Sequence, residues 1–345
     1  MGMRRRAVSV AVAAAAVLAG PTVAWCHDTN FVLPWQTDAE IDEWLEPHVV
    51  KIDRDVPAKD LLFVHLPGSY DVPTNSMLIL GHAADLGYPA IGLRYPNGWT
   101  MSSICRWSRA PECFEDVRLE IVTGSDATPE LDIDRANSIT NRLLTLIEYL
   151  EDRFPEDDWA RFLDRDGEID WAKVIVSGHS QGAGHAAMIG HLYGVARVAM
   201  FAGATDYSAY FRRPAPWVAE PGETPADRFF GFGHTADALV PANHLVELWT
   251  ELGLAASGRT VNVDLEPPPY GESHMLLTSA EPDGSGAFLN HSSVVVDEFT
   301  PKYLDGSPRF SVVWSAMCFP DAEQSSNGSR CRRPVGRRGP MSVNK

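Results

Sequence analysis

Residues 174–184 read VIVSGHSQGAG. A short β-branched run, Val174-Ile175-Val176, leads into Gly178-His179-Ser180-Gln181-Gly182, and small residues follow it. The order predicts a buried strand, a tight turn and a helix, with Ser180 at the apex of a G-x-S-x-G turn. Such a turn needs glycine two residues either side, because a side chain there would strike the neighbouring strand or helix. Ser180 Oγ then stands clear of the sheet, and the first N–H of the helix faces a reacting oxygen. A bare G-x-S-x-G is common; here the β-branched run before it and AGHAAMIGHLYG after it supply the strand and helix that the turn requires.

Upstream, Leu61-Leu62-Phe63-Val64 reads as a buried strand, and HLPGSY (65–70) follows at its C-terminal end. Backbone N–H groups near Ser69 and Tyr70 are expected to face a substrate carbonyl there, with the Gln181 N–H as the further donor. Residues 75–86 predict a helix and 89–95 a strand, hence a βαβ unit with parallel pairing. Residues 98–120 read as a loop carrying Cys105 and Cys113, with Trp99 and Trp107 exposed or at a rim. In 136–154, Ile139, Leu143, Leu144, Ile147 and Leu150 recur at helical spacing and predict a core-facing helix. FLDRDGEID (162–170) alternates acids as a calcium loop does. It lacks the full spacing and the closing glutamate, so a solvated turn and no metal are expected.

Downstream, 196–201 predicts a strand followed by Gly203-Ala204-Thr205-Asp206. Residues 207–228 hold Tyr210, Phe211 and Trp217 among four prolines, too short a stretch for a multi-helix lid. A strand at 228–232 runs into GHTADALVP (233–241), and a helix is expected at 243–253. With the order nucleophile, acid, base, Asp237 is the expected acid and Asp206, one strand earlier, the alternative. Residues 261–265 predict the last main strand. A base must project from a loop with partners on both ring nitrogens, which favours His291, in the polar stretch 288–293, over His274 in GESHMLLTS.

The G-x-S-x-G turn, the HLPGS loop and the D-x-x-V-P segment at Asp237 together resemble the α/β-hydrolase superfamily across roughly residues 61–299. Within it, WAKVIVSGHSQGAGHAA is similar to a group of secreted bacterial hydrolases of poorly defined substrate. The resemblance implies a mostly parallel eight-stranded sheet, a small or absent lid, and serine hydrolysis without a cofactor. Similarity to cutinases and polyester depolymerases rests on the G-x-S-Q-G core and the small lid, and fold does not fix substrate. The expected activity is cleavage of a carboxylic ester, bulky or polymeric substrates included, through an acyl-enzyme on Ser180. A peptidase, or a binding protein on the same fold, is the alternative.

The chain of 345 residues is 45% hydrophobic, enough for one large core. A net charge of -17 argues against a nucleic-acid partner. Arg4-Arg5-Arg6, the apolar run 7–19 and Thr22-Val23-Ala24 read as a signal peptide over 1–24. Such a run is short for a membrane span, so a secreted or periplasmic protein without a stable anchor is expected. One catalytic domain would occupy 25–320, with a flexible tail over 321–345. Export makes disulfides possible. Local pairs Cys105–Cys113 and Cys318–Cys331 are the simplest expectation, leaving Cys26 unpaired, and no cysteine has zinc-site spacing.

Overall fold

The computed structural model describes residues 27–320. The signal-peptide reading of 1–24, Cys26, Cys331 and the tail 321–345 lie outside them. The strands are β1 (Asp28–Val32), β2 (His48–Ile52), β3 (Leu62–Leu66), β4 (Ala90–Gly92), β5 (Val174–His179), β6 (Arg197–Phe201), β7 (Tyr207–Ser208), β8 (Arg213–Pro214), β9 (Phe229–His234), β10 (Val261–Asn262) and β11 (Met275–Thr278). The helices are α1 (Pro34–Thr37), α2 (Met77–Asp85), α3 (Met101–Cys105), α4 (Cys113–Thr123), α5 (Ile139–Arg153), α6 (Gln181–Leu192), α7 (Ala242–Glu251), α8 (Leu289–Ser292) and α9 (Ser311–Cys318).

Every residue of β3 and β5 is buried, as expected of central strands covered on both faces. Among the described residues the main sheet runs β1-β2-β4-β3-β5-β6-β9-β11-β10. The pairings β1·β2 and β2·β4 are antiparallel and all others in this sheet parallel. This is the α/β-hydrolase fold. One face is covered by α4, α5, α6 and α7, whose Val117, Leu143, Ala187 and Leu248 share one core cluster. The other is covered by α2 and α9, with Leu80 and Trp314 in a second. The chain leaves β3 toward β4 on one side and continues from β5 toward β6 on the other. Between β3 and β5 the strand order therefore reverses, which is where open α/β sheets hold ligands, at the carboxyl ends of the strands.

The structure corrects several expectations of detail. The sheet has nine strands rather than eight. Only Val261 and Asn262 of the expected strand 261–265 pair. The chain turns at once, Leu265 N–H bonding Asn262 O at 3.1 Å, ahead of Pro267-Pro268-Pro269. The main strand on that side is β11, inserted between β9 and β10. The stretch 98–120 is largely helical, as α3 and α4. A disulfide joins Cys105, the last residue of α3, to Cys113, the first of α4. Cys318 is a free thiol rather than a partner of Cys331, because it is fully buried on α9 among Phe319, Met317 and Trp314 of the second cluster. No helix among the described residues is long and apolar enough to cross a membrane.

Candidate active site

Ser180 joins β5 to α6 with φ 53° and ψ −113°, a conformation that costs a residue with a Cβ about 1–3 kcal/mol. Hydrogen bonds on both sides hold it: its N–H donates to Phe201 O at 2.8 Å, and its carbonyl accepts from Ala183 N at 3.1 Å. The flanking glycines are required by close approach. A Cβ on Gly178 would run into Gly182 O, and one on Gly182 into the carbonyls of Leu66 and Pro67. That second contact shows how closely the start of α6 is pressed against the chain leaving β3.

Asp237 and His291 meet at the same end of the sheet. His291 Nδ1–H donates to Asp237 Oδ2 at 2.6 Å, which leaves Nε2 as the bare nitrogen of the neutral ring. Nε2 is buried and has no hydrogen-bond partner. The other Asp237 oxygen accepts the amides of Leu239 at 2.8 Å and Val240 at 3.0 Å, so both carboxylate oxygens are fixed. His291 sits in the short helix α8 and not in the loop expected for it. His179, the residue before Ser180, donates through Nε2 to His291 O at 3.2 Å, and the two rings are 4.9 Å apart. Burial, reinforced by the neighbouring His291, holds the His179 pKa well below the usual imidazole range. His179 therefore ties His291 to the Ser180 turn without contributing charge.

The HLPGS loop is fixed by the segment after β4. Tyr95 Oη donates to Pro67 O at 2.7 Å, and Asn97 Nδ2 to Gly68 O at 2.6 Å and Asp71 O at 2.9 Å. A Cβ on Gly68 would contact His179 Nδ1 at 2.9 Å and Ser180 Cβ at 3.4 Å, so the loop passes directly over Ser180. Ser69 Oγ donates to Gln181 Oε1 at 2.7 Å, bridging loop and helix. Tyr70 has to be removed from the expected donors: its N–H is committed to Asn97 O at 2.8 Å and its ring is exposed. The amides of Ser69 and Gln181 have no acceptor among the described residues.

Neither alternative residue joins this pair. His274 precedes β11, at the amino end of a strand whose carboxyl end faces the site, and its ring stacks on Phe230 at 3.8 Å. Burial lowers its pKa. Asp206 is engaged by Arg118 and by the Trp217 indole, which donates to Oδ2 at 3.0 Å. Arg118 does not stand out in the sequence; nothing local marks an arginine whose partner is 88 positions away.

Residues 207–228 form the β7–β8 hairpin and short 3-10 turns, a light cover. Trp217 is buried in the core and Tyr210 is half exposed. In the acidic turn, Asp164 Oδ1 accepts the amides of Asp166 and Glu168 at 2.8 and 3.0 Å.

No family model and no curated protein matches the chain. Among solved structures it is similar to a Klebsiella pneumoniae protein provisionally assigned as a dienelactone hydrolase, at 12% identity and a TM-score of 0.37, over 78% of this chain and 89% of that one. So distant a likeness transfers no function. The strand order and the residues at the carboxyl ends of the strands are the basis for assigning chemistry to the site.

Proposed function

We propose that the protein is a serine hydrolase that cleaves carboxylic esters through an acyl-enzyme on Ser180. The observation that carries this reading is the Asp237–His291 hydrogen bond with a bare, buried Nε2, at the end of the sheet where Ser180 stands. In the proposed cycle His291 Nε2 takes the Ser180 proton as Oγ attacks the ester carbonyl. The Ser69 and Gln181 amides receive the oxyanion, and the proton passes to the departing alcohol. Water, deprotonated by the same nitrogen, then releases the acid. Asp237 holds the ring in the required tautomer and stabilises it when charged. One oxyanion donor is typically worth about 3 kcal/mol of transition-state stabilisation. The exposed rings of Tyr70, beside Ser69, and Phe288, three residues before His291, support a bulky or extended ester. A disulfide supports a secreted or periplasmic site of action.

The test is hydrolysis of p-nitrophenyl esters of graded chain length, with fluorophosphonate labelling of Ser180. Ser180→Ala and His291→Ala should each lower kcat by roughly 10⁴-fold or more, and His274→Ala should leave it unchanged. Wild-type protein that neither turns over an ester nor takes the label would be a binding protein on a hydrolase fold.

A further inference from the structure

Beneath the Ser180 turn lies an ion pair that the proposed cycle does not use. Arg118, from the middle of α4, and Asp206, from the segment after β6, are both fully buried. Arg118 Nε donates to Asp206 Oδ2 at 2.6 Å and Nη2 to Oδ1, a two-pronged grip that fixes the guanidinium plane. One edge remains, and it is turned toward the helix that carries the site. Arg118 Nη1 donates to Gln181 O at 3.0 Å and lies 3.3 Å from His185 Nδ1. Helix α6 leaves room for this group: a Cβ on Gly184 would overlap Arg118 Nη2.

A buried ion pair is a weak source of stability, because desolvating two charges cancels much of their attraction. What this pair supplies is direction. Gln181 follows the nucleophile immediately. Its N–H is one of the two proposed oxyanion donors, and its carbonyl is the group Arg118 holds. A first-turn carbonyl with a second, rigid donor is less free to tilt, and the Gln181 N–H, in the adjoining peptide plane across the same Cα, is restricted with it through the helical φ and ψ of Gln181. A lysine in place of Arg118 would keep a charge for Asp206 but lack the planar fork that reaches two partners at once.

We propose that Arg118 is a positioning residue for the oxyanion-binding turn, itself aimed by Asp206. The proposal rests on the esterase reading of Ser180. Its effect is on the transition state, where the Gln181 amide is used, and hardly on ground-state binding of the ester.

The experiment compares wild type, Arg118→Lys and Trp217→Phe by p-nitrophenyl butyrate kinetics, fluorophosphonate labelling rate and thermal unfolding. Arg118→Lys should lower kcat and the labelling rate together, about tenfold or more, with KM within twofold. Trp217→Phe removes a contact to Asp206 but leaves Arg118 on Gln181. It should lower the unfolding midpoint while kcat and labelling stay at wild-type values. Arg118→Lys protein that is folded and labels at the wild-type rate overturns the proposal. If Arg118→Lys does not fold, the double variant Arg118→Met with Asp206→Leu, which leaves no unpaired buried charge, replaces it under the same criterion. Wild-type protein that neither hydrolyses nor labels fails the esterase reading, and this proposal with it. An active wild type beside an undiminished variant fails this proposal alone.

Discussion

At the scale of single residues, the proposed cycle divides the candidate site into groups that would react and groups that hold them. Asp237 is of the second kind: one oxygen is fixed by two backbone amides and the other fixes His291. Asp237→Asn keeps the shape but can offer an N–H where Nδ1 needs an acceptor. It should lower kcat by about 10³- to 10⁴-fold with little change in KM in the ester assay. An Asp237→Asn protein within tenfold of wild type would remove Asp237 from the proposed cycle. The pairing of Asp237 with His291 is legible in the sequence because chain order and the loop after a strand are local information. The choice between His291 and His274 is less secure there, since it depends on which end of a parallel strand each occupies. Tyr70 is misplaced by its sequence because its amide bond to Asn97, across a different loop, leaves no trace in HLPGSY.

Among the elements, α6 is the one that everything else accommodates. Its first turn lies so close to the chain leaving β3 that Gly182 has no space for a methyl group, and the atoms in the way are backbone carbonyls. Gly182→Ala should therefore destabilise the protein by about 1–3 kcal/mol in urea titration and reduce ester turnover in the fraction that folds. Unchanged stability would mean that loop and helix separate more easily than their packing indicates. Helix α4 is anchored at its first residue by the Cys105–Cys113 disulfide. Replacing both cysteines by serine should cost about 2–3 kcal/mol in the same titration, since the cross-link restricts the unfolded chain. The disulfide is legible from spacing, but α3 and α4 are not. RWSRAPE between the cysteines reads as loop, and the helix after it has no side-chain cap to announce it. The elbow itself is legible in full, because strand, turn and helix are contiguous.

For the molecule as a whole, buried imidazoles set the response to acid. His48, His65, His82, His179 and His185 have pKa values lowered chiefly by burial, to about 3 for His65 and about 4 for His82. The unfolded chain takes up protons on these rings near pH 6.5 while the native protein does not, so stability falls as the pH drops below that value. Each ring contributes up to about 1.4 kcal/mol per pH unit. Asp297, raised to about 6 by burial, opposes them from pH 6 downward, because the native protein gains a proton there before the unfolded chain does. The five rings outweigh it. The urea midpoint should therefore fall markedly between pH 7 and pH 5 at constant slope, and equal midpoints would contradict the neutral state of these rings. The sheet has a consequence in time as well. Ser69 and Gln181 are 112 residues apart, and so are His179 and His291. A chain that emerges N-terminus first carries Ser180 and Asp237 well before it carries His291. On the proposed cycle such a chain is chemically silent throughout its synthesis, and becomes reactive only when the last quarter of the protein has folded onto the rest.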